Sequence, residues 1–146
     1  MPKLLCHSET SPCPLAHALD IIGDRWTLLI VRDLMLRNLH EYKDILNSYE
    51  GISTNILADR LQRLMQVGLL KSIPHPENKT RKLYYLTASG KALIRTMMEI
   101  VKWSGEHVAS AQIPAQMKEQ LERDSEGFAR TVLARLEQWE SENVPG

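Results

Sequence analysis

The apolar positions of this chain recur at helical spacing almost throughout, with one interval where the period shortens. Leu15, Ala18, Leu19 and Ile22 share one side of a helix over 15–22. Gly23 stops it, and Asp24 stands where it can cap the next helix, expected from about Arg25 to Leu36. That second helix is apolar nearly all round, through Trp26, Leu28, Leu29, Ile30, Val31, Leu34 and Met35, the pattern of a buried central helix. Tyr42, Ile45, Leu46 and Tyr49 mark a short third helix, and Glu50-Gly51 a turn. Ser53 then caps a helix running to about Val67. Leu57, Leu61, Leu64 and Met65 form its apolar stripe, while Asn55, Asp59, Gln62, Arg63 and Gln66 fall opposite. Gly68 ends it.

After Gly68 the pattern changes. Leu69–Ile73 and Arg81–Leu86 read as two strands, with Pro74, Pro76 and Asn78 in the loop between them. Thr87 caps a helix expected to run unbroken from Ala88 to His107. Ile113 and Pro114 open a last helix to about residue 142, with Met117, Leu121, Phe128, Val132, Leu136 and Trp139 on one side. Gly127 is expected to interrupt that helix and weaken it by about 1 kcal/mol relative to Ala. The expected fold is mainly α with a small β-hairpin wing. Its parts are an irregular arm at 1–12, a winged helix-turn-helix at 13–108, and a C-terminal helical extension at 109–146, with N- and C-terminal helices serving dimerisation.

Composition excludes more than it suggests. The chain has 146 residues, 43% hydrophobic and 25% charged, ordinary for a globular domain with a core of its own. No apolar run approaches the roughly 18–20 residues of a membrane span, and no secretion signal opens the chain, so a cytoplasmic protein with no membrane partner is expected. Net charge is zero, but its distribution is uneven. The stretch 60–82 holds Arg60, Arg63, Lys71, Lys79, Arg81 and Lys82 against Glu77 alone, while acids outnumber bases after residue 111. The positive charge thus sits on the capped helix and the hairpin, where a winged helix-turn-helix meets DNA.

The candidate DNA contacts follow from that placement. Ser53 and Thr54 offer short hydroxyls at a helix N-terminus, which itself favours phosphate. Asn55 can pair bidentately with adenine, and Arg60 and Arg63 can reach guanine or phosphate, with Asp59 beside them on the same helix. Lys79, Arg81 and Lys82 form a basic wing suited to flanking backbone or minor groove. Plain alternatives stay open: Ser53 as a cap only, Asn55 and Arg60 as exposed surface, the wing as a solvated turn. Tyr84, Leu86 and Trp26 read as core, and His40, His75 and His107 as isolated surface residues. One such module buries too little surface for tight specific binding, so a homodimer on two half-sites is expected.

Cys13-Pro14-Leu15, then IIGDRW, the apolar run 28–36, YEGIS, LADRLQRLMQVGLL and YYLT follow one another in unbroken order. Together they resemble the HxlR-type winged helix-turn-helix transcriptional regulators of bacteria, over roughly Cys13 to Val108. The resemblance implies a small dimeric DNA-binding regulator. It also implies a role for Cys13, because some members sense oxidants or electrophiles through a cysteine near the N-terminus. Two features depart from the family pattern: Glu41 stands where a basic residue usually precedes the aromatic Tyr42, and Glu50 replaces the Pro of a Pro-Gly-Ile-Ser turn.

Cys6, His7, Cys13 and His17 lie close together, but their spacing matches no common zinc pattern, so neither a metal nor a cofactor is expected. Cys13 reads either as an inert thiol or as a redox or electrophile switch, since a helix N-terminus favours a reactive thiolate. No GxSxG, Walker loop, HExxH or CxxC occurs, so no enzyme is expected. The competing reading is a winged-helix protein-interaction module that does not bind DNA.

Overall fold

The computed structural model describes residues 9–146, so Cys6 and His7 lie outside the described residues. Helix α1 spans Pro14–Ile22 and α2 spans Thr27–Met35. Asp24 secures the start of α2 by accepting from the backbone N–H of Trp26 (3.0 Å) and Thr27 (3.1 Å). Six of the nine α2 residues are buried, which makes it the central helix that its all-round apolar pattern predicts. The short α3, Tyr42–Leu46, and the long α4, Thr54–Gln66, turn their apolar faces into the same core through Ile45, Leu57, Leu61 and Leu64. Between them Gly51 takes a positive φ of 71°, which glycine adopts without steric cost. Ser53 caps α4 as expected, accepting from Ile56 N–H at 3.3 Å.

Strand β1, Leu70–Pro74, pairs antiparallel with β2, Lys82–Leu86. The register sets Leu70 opposite Leu86 and Ser72 opposite Tyr84. A single bridge from Glu41 to Leu83 adds the residue before α3 to the outer side of the hairpin. The expected helix over 88–107 is in fact two: α5, Ala88–Lys91, and α6, Ile94–His107. Thr87 caps α5, and the hydroxyls of Thr87 and Ser89 both donate to Gly68 O. This pins α5 to the hairpin while Ile94, Met97 and Met98 of α6 face the core, and the chain turns between the two at Ala92–Leu93.

The last expected helix is also broken, into α7, Ala115–Arg123, and α8, Ser125–Asn143. The break is at Asp124, whose side chain caps α8 by accepting from Gly127 N–H at 2.9 Å. Gly127 is therefore no interruption. A Cβ there would collide with the Asp124 carboxylate, so glycine leaves room for the cap.

Helix α8 buries Ala129, Val132 and Leu136 in the common core. Its Arg135 donates to the last carbonyls of α2, Met35 O (2.8 Å) and Leu36 O (3.1 Å), satisfying groups a helix end leaves open. Trp139 stacks on His40 with ring centroids 3.6 Å apart. The sequence suggests a surface position for His40, and the fold corrects this. His40 is only 7% exposed, with Nδ1 bonded to Tyr84 O at 2.7 Å, and burial holds its pKa below the ordinary histidine value. His75 is not isolated either: its Nε2 lies 3.1 Å from Glu41. Among the described residues no helix is long and apolar enough to cross a membrane.

Candidate nucleic-acid interface

The fold presents one side of α4 to solvent. Thr54, Asn55, Ala58 and Gln62 are exposed along it, opposite the buried Leu57, Leu61 and Leu64. Ser53 is exposed at the helix start, with its oxygen engaged as the cap. The outward strip is uncharged and carries two amide side chains, Asn55 and Gln62, each a donor–acceptor group suited to the edge of adenine. Periodicity alone puts Gln62 on the polar face without singling it out as a contact. Its seven-residue spacing from Asn55, two helical turns, is the signal that does so.

The cations of α4 take a different place. Arg60 Nε donates to Asp24 Oδ2 at 2.9 Å, and its Nη1 lies 2.5 Å from Asp59. Arg63 donates through Nη2 to the carbonyl of Asp20 and stands 3.6 Å from Asp24. Both guanidinium groups are therefore tied to the corner between α1 and α2, and not extended toward the bases or phosphates that the sequence suggests for them. Burial pushes the Asp24 carboxyl up, but hydrogen bonds from Thr27, Arg60 and Trp26 outweigh it and hold the group below the usual carboxylate range.

The wing lies between β1 and β2. Lys79, Arg81 and Lys82 are all exposed on it, as is Lys71 on β1. Asn78 shapes the tip by accepting from Thr80 N–H at 3.1 Å, and its carbonyl accepts from Arg81 N–H at 2.9 Å. Glu41 is the wing's brace. It pairs with Arg81 and His75 from the wing and with Lys43 from α3 (3.5 Å). Desolvation raises its pKa, but the charges of Arg81, Lys43 and His75 hold the carboxyl below its ordinary range. The next residue, Tyr42, donates from its hydroxyl to Thr54 O at 3.0 Å. Two consecutive residues thus join the wing and the N-terminus of α4.

Glu50, in the turn ahead of α4, is likewise structural. Arg32 grips Glu50 through two parallel bonds (2.7 and 3.0 Å) and also binds Asp33, which is 2% exposed. Asp33 in turn accepts from Ser48. The turn ahead of α4 is therefore held to α2 by charge.

An HxlR-like helix-turn-helix family model matches residues 21–112. The chain belongs to this family. The regulator YvaP of Bacillus subtilis is 34% identical over 102 residues, covering 69% of this chain and 94% of that protein. The crystal structure of PA1607 superposes with a TM-score of 0.63 at 33% identity, over 72% of each chain. The reduced form of the transcriptional regulator YodB from B. subtilis gives 0.55 at 27% identity, over 68% of this chain and 98% of YodB. YodB is also known in quinone-bound and diamide-treated forms. The match spans only 62% of the length of the mycobacterial HTH-type regulators it resembles. The fold is the winged helix-turn-helix that the sequence led us to expect.

Proposed function

We propose that this HxlR-type chain is a homodimeric, sequence-specific DNA-binding transcriptional regulator. Helix α4 enters the major groove and reads bases through Asn55 and Gln62, with Ser53 and Thr54 at its leading end. Lys79, Arg81 and Lys82 rest on the flanking backbone. The observation that carries this reading is the exposed amide strip of α4 joined through Glu41 and Tyr42 to an exposed basic hairpin. A protein-interaction module would need neither the amides nor the lysines at those positions.

Salt dependence separates the two. A Lys79→Gln/Lys82→Gln variant should bind DNA more weakly on every sequence, and its log–log salt slope should fall by about 0.9 for each phosphate that is no longer neutralised. Fluorescence anisotropy from low to physiological salt measures this. Wild-type protein that binds no duplex in a salt-dependent way would leave the interaction module as the better reading.

The second copy, in this reading, meets α1 and α6. Leu15, Leu19, Ile100, Trp103 and Val108 are exposed on or beside those helices. The apolar stripe of the C-terminal extension packs into the chain's own core through Leu121, Val132 and Leu136.

Cys13 carries the effector side of the proposal. It is an exposed free thiol at the N-cap of α1, the helix that bears Leu15 and Leu19. Oxidant or electrophile chemistry at this sulfur would disturb the helix that meets the second copy and so release DNA. In a gel shift, diamide should weaken binding by wild type and spare Cys13→Ser. An equal response from both proteins would remove Cys13 from the mechanism.

A further inference from the structure

The corner between α1 and α2 holds the recognition helix by a built contact, and this bears on how α4 reads DNA. Asp24 uses one carboxylate for three tasks. It caps α2 through Trp26 and Thr27, binds Arg60 Nε at 2.9 Å, and faces Arg63 Nη1 at 3.6 Å. Arg63 adds its bond to Asp20 O, the carbonyl two residues before the end of α1. Its Nε is buried without a hydrogen-bond partner, a costly arrangement that only the surrounding contacts maintain. Neither arginine lies on the outward strip formed by Thr54, Asn55, Ala58 and Gln62.

We infer that Asp24 is a positioning residue for DNA reading. With Arg60 and Arg63 it forms a latch that fixes the angle of α4 against the α1–α2 corner, and the two arginines are latch members, not phosphate contacts. Because the latch is anchored at the end of α1, a shift of α1 on the second copy is passed to α4 through charge and hydrogen bonds. The inference deepens the DNA-binding reading and rests on it.

Opposite signs distinguish a latch from a pair of DNA contacts. If Arg60 and Arg63 served phosphate, removing the Asp24 charge would free them and tighten binding. If they serve the latch, removing it releases α4 and weakens specific binding. Asp24→Asn is the informative change, because Asn is as good a helix cap as Asp but offers no charge to either guanidinium. Arg60→Lys is its complement: it keeps a charge for phosphate but loses the planar fork that holds Asp24 and Asp59 together.

The probe is the duplex that wild-type protein enriches from a random-sequence pool, measured beside a scrambled duplex of the same composition. Failure of wild type to enrich any duplex would count against the DNA-binding reading itself, which keeps that failure distinct from failure of the latch. Asp24→Asn should bind the selected duplex about tenfold more weakly, the scale of one mismatched base pair. Its salt slope and its binding to the scrambled duplex should match wild type. Arg60→Lys should behave in the same way, and the Asp24→Asn/Arg60→Lys double variant should be no worse than the worse single. Should Asp24→Asn fail to fold, Arg60→Lys with its salt slope carries the test alone. Tighter binding by Asp24→Asn on both duplexes overturns the latch. So does wild-type affinity in Arg60→Lys together with a slope about 0.9 lower in Arg60→Gln, the signature of one phosphate left unneutralised.

Discussion

Arg32→Met should destabilise the protein by about 2–3 kcal/mol at neutral pH, below the roughly 3–5 kcal/mol of a fully buried ion pair, because Glu50 is partly exposed and Arg37 still pairs with Asp33. For a chain of this size that lowers Tm by on the order of 10 °C. Methionine keeps most of the side-chain stem, so packing changes little. What disappears is a guanidinium bonded to Asp33 at 2.8 and 3.0 Å and to Glu50 at 2.7 and 3.0 Å. Asp33 is then left buried with Ser48 and the more exposed Arg37, facing a second carboxylate at Glu50.

The pH dependence gives this prediction its sign. In the wild type, hydrogen bonds from Arg32 hold Glu50 below its ordinary pKa of 4.5. A depressed carboxyl contributes stability above the unfolded value, and that stability is lost as pH falls through the folded value. Wild type should therefore weaken as pH drops from about 4.5. Arg32→Met should weaken less over the same window, because protonation of Glu50 relieves its repulsion with Asp33. Glu50→Gln added to Arg32→Met should restore part of the stability. Thermal melts at neutral and acid pH check this, and two parallel pH curves would show that the network contributes no charge-dependent stability.

What the sequence revealed was local. Ser53 and Thr87 announce the starts of α4 and α5 because a cap acts over three residues. The stripe of Leu57, Leu61 and Leu64 shows which side of α4 is buried, so the outward position of Asn55 follows. The destination of Arg60 does not follow, because Asp24 lies 36 positions away and periodicity says nothing about such pairs. The same holds for His40, whose stacking partner Trp139 comes from the far end of the chain. Glu41 looks like an obstacle to phosphate contact until the fold sets Arg81 and His75 beside it. The break at Asp124 is within reach of the sequence. Asp is among the favoured cap residues, and Gly127 matters there for its missing Cβ, not for its flexibility.

Leu19→Asp combined with Trp103→Asp should give a folded monomer whose affinity for the selected operator duplex falls by about 10²–10⁴, the drop expected when linked half-sites come apart. Leu19 is 53% exposed on α1 and Trp103 61% exposed on α6, so neither substitution opens a cavity in the core. Tm extrapolated to low protein concentration should accordingly stay near that of wild type. Five of the six large exposed hydrophobics among the described residues lie on or beside these two helices, and both helices pack on α2. Apolar surface so concentrated is unusual for a chain that stays single. A charge placed in the seam would be buried without a partner on assembly, a penalty counted twice because a two-fold interface presents each residue twice. Sedimentation velocity at micromolar concentration, run beside the DNA titration, checks both halves of the prediction. A double variant that still sediments as a dimer would move the seam off α1 and α6. A wild type that is already monomeric yet binds the full duplex tightly would remove the need for a second copy.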